Sequence, residues 1–254
     1  MLCQVSRPVL PVVILTAVAV FCGGPAHAGR FMTIVEAETF APGEGELVQA
    51  GSLTRLEDGT ATQSEGSWQI GLEYGLLPRL QVGLALPAWT VVSGEQGTET
   101  DFDGTALWGV WNLVPPADGS LGLSLAASVS RCAAETSGEY GLVLERSGGA
   151  LALVANLSFA HCHPHDPGQE SGDHLLARGG VSRDLGHGFA LALEGEWLAD
   201  RFGSLGYRAE SFNWGPALLW EGGRAWVLGG ALLDPDPLAE QRGAAWQVQA
   251  GVPF

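Results

Sequence analysis

The sequence predicts an all-β protein, a closed antiparallel transmembrane β-barrel of about twelve strands. Three observations lead to this fold class. Apolar and polar side chains alternate at a period of two over most of the chain after residue 28. Connections between the predicted strands alternate between short and long, and no other segment is apolar for long enough to form a spanning helix. A sheet that crosses a membrane must close on itself, because every backbone polar group there needs a partner.

The alternation predicts one strand after another along residues 46–254. It is clearest in the last strand, which has one apolar face and ends on Phe254. This terminal aromatic resembles the sorting signal of bacterial outer-membrane barrels, so the barrel-assembly machinery is an expected partner. The predicted strands are residues 46–57, 62–74, 79–90, 102–113, 119–131, 138–146, 149–160, 173–184, 188–199, 211–221, 224–233 and 243–254.

The lengths of the connections distinguish a barrel from a soluble β-sandwich, the alternative in which the aromatic residues pack a core. The short connections are residues 75–78, 115–118, 147–148, 185–188 and 222–223, and the long ones are residues 91–101, 161–172, 200–210 and 234–242. Short periplasmic turns and longer external loops are typical of outer-membrane barrels.

The first 28 residues predict export. Arg7 precedes an apolar stretch over residues 9–21, and Ala26-His27-Ala28 offers the small residues that a signal peptidase reads. We therefore expect a signal peptide at 1–28 and a barrel domain at 29–254, located in the outer membrane of a Gram-negative bacterium. A lipoprotein modified at Cys22 is the alternative.

Charge excludes one class of partner. Removal of residues 1–28 takes away one arginine and no acid, so the formal charge falls from −16 to −17. Nucleic acid would be repelled by such a protein. The expected partners are outer-membrane lipid and a small-molecule solute, and the sequence leaves the oligomeric state open.

Polar side chains on predicted strands mark a lumen. A carboxylate on a membrane strand is tolerated where it faces water or a partner. The lumen candidates on this ground are Glu73, Gln81, Arg178, Glu194 and Glu196, with Arg178 as a counter-ion for the acids. If the acids line an open pore, cations should pass preferentially.

One stretch of the chain resembles a known family. Residues 73–87, EYGLLPRLQVGLALP, resemble the second hairpin of outer-membrane channels named for a meta-cleavage pathway of phenol degradation. Residues 36–39 and 43–46 are similar to that family's approach to its first strand, and residues 103–113 to a later strand. The family's Leu-Pro-Thr-Gly motif is replaced here by residues 126–131. The resemblance implies a barrel with a transport role.

A dense group of potential metal ligands falls in a predicted external loop. It consists of His161, Cys162, His163, His165 and Asp166. Imidazole nitrogen and thiolate sulfur suit zinc, copper or nickel. The alternative is a solvated polar loop, and no cofactor is expected elsewhere.

Two cysteines remain after export, Cys132 and Cys162. Oxidising compartments favour a disulfide between them, but a strand separates the two in sequence and they would have to be bridged by loops. Pairing and free thiols both stay open.

The sequence favours a transport protein over an enzyme. It holds no Gly-x-Ser-x-Gly, no phosphate-binding glycine loop and no metalloprotease helix motif. The expected function is a channel or transporter for small solutes, apolar or aromatic ones. The alternatives are a structural or receptor barrel with a plugged lumen and a barrel enzyme acting on lipid.

Overall fold

One continuous antiparallel sheet accounts for the strands in the computed structural model, which describes residues 29–58, 61–94, 97–202, 207–234 and 241–254. The predicted signal peptide lies outside these ranges. The strands are β1 (Gly45–Asp58), β2 (Ala61–Leu77), β3 (Leu80–Ala85), β4 (Ala88–Gly94), β5 (Gly97–Asp103), β6 (Thr105–Val114), β7 (Leu121–Arg131), β8 (Glu135–Gly148), β9 (Leu151–Pro164), β10 (Gly172–Gly186), β11 (Phe189–Phe202), β12 (Arg208–Gly222), β13 (Ala225–Leu233) and β14 (Gln241–Pro253).

These segments form twelve barrel strands. β3 and β4 both pair with β2 and are one strand interrupted at Leu86 and Pro87, because proline supplies no N–H for the ladder. β5 and β6 are likewise one strand, interrupted at Gly104, whose φ of 83° bends the chain. The predicted closed antiparallel barrel of twelve strands is confirmed.

The barrel closes where its first and last strands meet. β1 pairs with both β14 and β2 along its whole length. At the end of this seam, Gly45 N–H donates to the Phe254 carbonyl at 3.2 Å, and Phe254 N–H donates to the Gly45 carbonyl at 2.8 Å. β1 therefore begins, and β14 ends, at the rim that carries the short turns.

The two faces of the wall differ in chemistry. Large apolar side chains point outward and stay exposed, among them Trp89 at 59%, Tyr140 at 62% and Leu157 at 52%. Inward positions are small, polar or buried, as along β9, where Ala152, Val154, Asn156, Ser158 and Ala160 face inward. An apolar outer wall is the surface that lipid requires. No helix in the described ranges is long and apolar enough to cross a membrane.

The long connections differ from the prediction. Residues 91–101 are expected as a loop, but residues 91–94 belong to β4, residues 97–101 belong to β5, and β9 continues to Pro164. The β-branched residues on both arms of the β4–β5 hairpin favour a strand. The short turns follow the prediction within three residues, as at Gly186 to Phe189, where His187 adopts a φ of 57°.

Candidate functional site: the lumen and its internal segment

Residues 29–44 fold back into the barrel rather than trailing from it. Gly43 and Glu44 stand at the rim, where Gly43 N–H donates to the Gly75 carbonyl at 3.0 Å. Earlier residues are buried against the inner wall, including Phe31 at 4% exposure and Ala37 at 0%. We call residues 29–44 the lumen segment.

Polar side chains on successive wall strands accept hydrogen bonds from the backbone N–H groups of the lumen segment. Phe40 N–H donates to Gln81 Oε1 on β3 at 3.1 Å, and Ala37 N–H donates to Glu145 Oε2 on β8 at 2.9 Å. Val35 N–H donates to Asn156 Oδ1 on β9 at 2.9 Å. On β11, Glu194 accepts Met32 N–H through Oε1 and Thr33 N–H through Oε2, both at 3.0 Å. The segment therefore runs around the inner wall from β3 to β11.

The carbonyl groups of the lumen segment are satisfied in the same way. Ala37 O accepts from Asn112 Nδ2 at 2.7 Å and from Ser124 Oγ at 3.0 Å. Val35 O accepts from Asn156 Nδ2 at 2.8 Å, and Met32 O accepts from Gln249 Nε2 on β14 at 2.9 Å. A buried backbone without such partners would lose roughly 1–3 kcal/mol for each unsatisfied group. The polar wall residues thus replace a strand partner for the segment.

Apolar side chains of the lumen segment fill the space that small wall residues leave. An added Cβ on Gly180 would collide with Phe31, and one on Gly230 would lie 2.7 Å from the Met32 sulfur. The segment packs into a buried apolar cluster of the wall, which consists of Val143, Val154, Ala192, Ala217, Leu219, Trp226, Leu228 and Leu232. The small inward residues of the wall therefore leave room for the side chains of the lumen segment.

A pair of acids meets at the start of the lumen segment. Arg30 N–H donates to Glu36 Oε2 at 2.9 Å, and Arg30 Nη1 lies 4.0 Å from Glu145 Oε1. Burial, followed by the charge of Glu145, raises the pKa of Glu36 from 4.5 to about 7. Glu36 therefore changes its charge near neutral pH inside the barrel.

The five predicted lumen residues all face inward, but they do not share one environment. Glu194 is 2% exposed and binds the lumen segment. Gln81 binds the lumen segment through Oε1 and donates from Nε2 to Glu73 Oε2 at 2.5 Å. Arg178 binds Glu196 through Nε at 2.6 Å. The proposed pairing of Arg178 with a lumen acid is thus present in the structure.

A second acid completes an ionic bridge across the inner wall. Arg178 Nη1 donates to Glu139 Oε1 on β8 at 3.2 Å, and Ser158 Oγ donates to the same oxygen at 2.6 Å. Glu139, Arg178 and Glu196 together connect β8, β10 and β11. We call these three residues the ionic bridge. Near it, His174 hydrogen-bonds to Asp200.

A cavity of about 340 Å³ lies between the lumen segment and the ionic bridge. Its walls are mostly apolar, and Trp108 projects into the lumen over Gly83. Arg178 and Glu139 are the charged residues of the lining. The apolar part of the lining includes Val35, Trp108, Val110, Ala126 and Val143. Such a space suits a small solute with an apolar body and one polar group.

The predicted metal ligands do not assemble into one site. Alternation along β9 places His161 and His163 on the outward face and Cys162 on the inward face. His161 Nδ1 lies 2.7 Å from Asp173 Oδ1, and His163 Nδ1 lies 3.1 Å from Ser171 Oγ. His165 contacts Thr136 and the Ala133 carbonyl, while Asp166 caps Gly168. Within the described residues, no group of three ligands could hold a metal ion.

Of the two alternatives left open for Cys132 and Cys162, the structure has them as free thiols. β8 lies between the two cysteines. Cys132 N–H donates to the carbonyl of Glu135 at the start of β8, whereas Cys162 pairs with Ser137, two residues further along that strand. Two strand spacings of about 4.8 Å and an offset along the strands place their Cα atoms beyond disulfide range.

Sequence reasoning missed the lumen segment and the residues that hold it. Asn112, Ser124, Glu145, Asn156 and Gln249 are single polar residues at inward positions of apolar strands. Isolated amides and acids of this kind are a signal for an internal partner, because a buried polar group needs a hydrogen bond. The sequence alone does not say that the partner is the chain's own residues 29–44.

Comparison with known proteins places the fold among outer-membrane barrels. No family model and no curated protein matches the chain. The COG4313 outer membrane channel from Pseudomonas putida F1 is 10% identical with a TM-score of 0.71, covering 86% of this chain and 98% of that one. The translocator domain of the autotransporter NalP from Neisseria meningitidis is 11% identical with a TM-score of 0.56, covering 82% and 88%. The NanC porin is 6% identical with a TM-score of 0.54, covering 80% and 98%.

The class defined by these observations is a closed twelve-stranded β-barrel with the fold of bacterial outer-membrane barrels and with residues 29–44 inside the lumen. The solved structures similar to it include channels and porins. At these identities the similarity is one of fold. It does not confirm the resemblance to the channel family named for phenol degradation.

Proposed function

We propose that this protein is a channel of the bacterial outer membrane that passes small apolar or aromatic solutes through its lumen. The observation that carries the proposal is the apolar cavity beside Trp108, whose lining also includes Arg178 and Glu139. Burial of apolar surface favours such solutes by about 25 cal/mol per Å². Arg178 or Glu139 would bind a single hydroxyl or similar group and orient the solute.

The lumen segment favours a second candidate function. A structural or receptor barrel would keep residues 29–44 fixed across the lumen, held by Gln81, Glu145, Asn156 and Glu194. Single-channel recording of the refolded protein in a planar bilayer separates the two. Stable ionic conductance supports a channel, whereas its absence with a correctly folded barrel supports the plugged alternative.

The cavity itself is tested by a matched pair of substitutions on β6. Trp108 faces the lumen and Trp111 faces outward with 56% exposure. We expect Trp108→Ala to change the time for which a phenolic solute blocks the ion current, because the solute loses an aromatic wall. Trp111→Ala should leave the blocking time as in the native protein. Equal effects of the two substitutions on the blocking time would show that the solute does not pass through the cavity.

Location and assembly belong to the same proposal. Cleavage after Ala28 would leave Gly29 as the first residue, directly before the lumen segment, and Phe254 would be read by the barrel-assembly machinery. N-terminal sequencing of protein extracted from outer membranes tests the cleavage. A start at any residue other than Gly29 would contradict it.

A further inference from the structure

Arg178 is shared between the two acids of the ionic bridge. Its Nε donates to Glu196 Oε2 at 2.6 Å, and its Nη1 donates to Glu139 Oε1 at 3.2 Å. The arginine side chain is 18% exposed, whereas that of Glu139 is 33% exposed. One arginine therefore faces two glutamates, and the ionic bridge carries an excess of negative charge.

Glu139 uses only one of its carboxylate oxygens within the barrel wall. Its Oε1 accepts from Arg178 and also from Ser158 Oγ, the latter at 2.6 Å. Among the residues that the structure describes, no donor is bound to its Oε2. Because Glu139 also lines the cavity, this second oxygen can bind a solute there. An ionised carboxylate only accepts hydrogen bonds, so the solute must supply the donor.

The rest of the cavity lining restricts the body of the solute. The cavity measures about 340 Å³, which is near the lower limit of roughly 300 Å³ for ligand pockets. A single aromatic ring with a short chain suits this volume, and Trp108 offers it an aromatic wall. Asn156 also lines the cavity, but its Oδ1 and Nδ2 both bind the backbone of Val35. Glu139 is therefore the group that orients the polar end of the solute.

A further carboxylate lies on the external side of the ionic bridge. His174 is on the same face of β10 as Arg178, nearer the external end of that strand, and it hydrogen-bonds to Asp200 of β11. The inner wall around the cavity is thus richer in carboxylates than in guanidinium groups. Such an excess raises the local concentration of cationic solutes and repels anionic ones.

We infer that the cavity is a binding site for aromatic amines, which it takes as ammonium ions. The ammonium group donates to Glu139 Oε2, and the ring packs against Trp108. This inference rests on the proposed channel function and narrows the solute class within it. An ammonium group supplies both the hydrogen-bond donor and the positive charge that the ionic bridge lacks. A phenol supplies the donor alone.

Solutes that share one ring and differ in their polar group test the class. Phenethylamine, phenethyl alcohol and phenylacetate carry an ammonium, a hydroxyl and a carboxylate at neutral pH. Each is added on the external side of the native protein in a planar bilayer. Its blocking time is extrapolated to zero voltage, which removes the direct effect of the field on charged solutes. We expect phenethylamine to block for about tenfold longer than phenethyl alcohol, because charge-assisted hydrogen bonds are stronger than neutral ones.

A matched pair of substitutions tests the role of Glu139. Glu139→Gln removes the charge but keeps an oxygen that can accept from Arg178 and Ser158, so the wall is preserved. We expect phenethylamine to lose its advantage over phenethyl alcohol in this variant. Glu170→Gln removes the same charge from the external β9–β10 loop and should keep the native preference.

The possible results separate this inference from the channel proposal. Equal blocking by phenethylamine and phenethyl alcohol in the native protein overturns the amine class and leaves the channel in place, and this comparison needs no variant. An amine preference that persists in Glu139→Gln overturns the site, and longest blocking by phenylacetate overturns the charge argument. A folded native barrel that conducts no ions overturns the channel together with the amine site.

Discussion

Glu194 on β11 holds the backbone of Met32, accepting its N–H at 3.0 Å, although 162 positions separate the two residues in the chain. The same carboxylate accepts the Thr33 N–H at 3.0 Å and the Thr33 hydroxyl at 2.8 Å. One strand residue thereby fixes Met32 and Thr33 of the lumen segment.

Glu194→Ala should loosen the lumen segment. The substitution leaves the N–H groups of Met32 and Thr33 without an acceptor, at a cost of about 1–3 kcal/mol for each group that stays buried. Hydrogen exchange at Met32 and Thr33 should speed up, and the thermal midpoint of the barrel should change little. Glu196→Ala is the control, since Glu196 binds Arg178 and not the segment. Unchanged exchange in the first variant would show that the anchor lies elsewhere.

Docking of the lumen segment should weaken as pH rises. The pKa of Glu36 is about 7 when the segment is docked, against an ordinary 4.5. Between these values the docked form keeps a proton that the released form loses, so docking free energy falls as pH rises through this window. Exchange protection of residues 31–37, corrected for intrinsic rates, should be higher at pH 5.5 than at pH 8. Glu36→Gln should abolish the difference, and its persistence in that variant would assign the effect to another group.

The ionic bridge should make the channel prefer cations. Glu139 and Glu196 outnumber their shared partner Arg178, so the bridge favours cations, with screening at high salt. Reversal potentials under a salt gradient should show cation preference that decreases in Glu139→Gln with Glu196→Gln. Glu170→Gln, in the external β9–β10 loop, should behave as native. Anion preference in the native protein would rule out this role.

Both cysteine thiols should react with an alkylating reagent. Cys132 and Cys162 are free and partly exposed, with β8 between them. Mass spectrometry of unreduced protein should find two alkylated cysteines. A bonded peptide pair from protein prepared under oxidising conditions would instead require that the external hairpins rearrange.

Much of the wall could be predicted from alternation. Leu80, Val82 and Leu84 alternate with Gln81 and Gly83, and a period of two assigns each set to one face whatever the register. The break at Pro87 and the long β4–β5 hairpin were harder to predict. Strand ends beyond the membrane have water on both sides, so alternation no longer marks them.

The candidate site was predicted only in part. The sequence predicts inward positions for Glu73, Gln81, Arg178, Glu194 and Glu196, because charged and polar side chains on apolar membrane strands must face water or a partner. Their partners could not be read in the same way, because Glu194 meets Met32 and Arg178 meets Glu139 only after the barrel has closed. The candidate metal ligands are separated for a related reason, since the strand continues through His161 and sends adjacent ligands to opposite faces.

By itself the sequence determined the sheet, the apolar outer wall and the polar inner positions, because side-chain periodicity and burial are local properties of a strand. Tertiary structure decided what fills the lumen. Residues 29–44 have no periodic pattern of their own, and their backbone becomes ordered only where Gln81, Asn156, Glu194 and Gln249 converge from distant strands. Hydrogen bonds of this kind depend on closure of the barrel, which brings together residues that no local pattern connects.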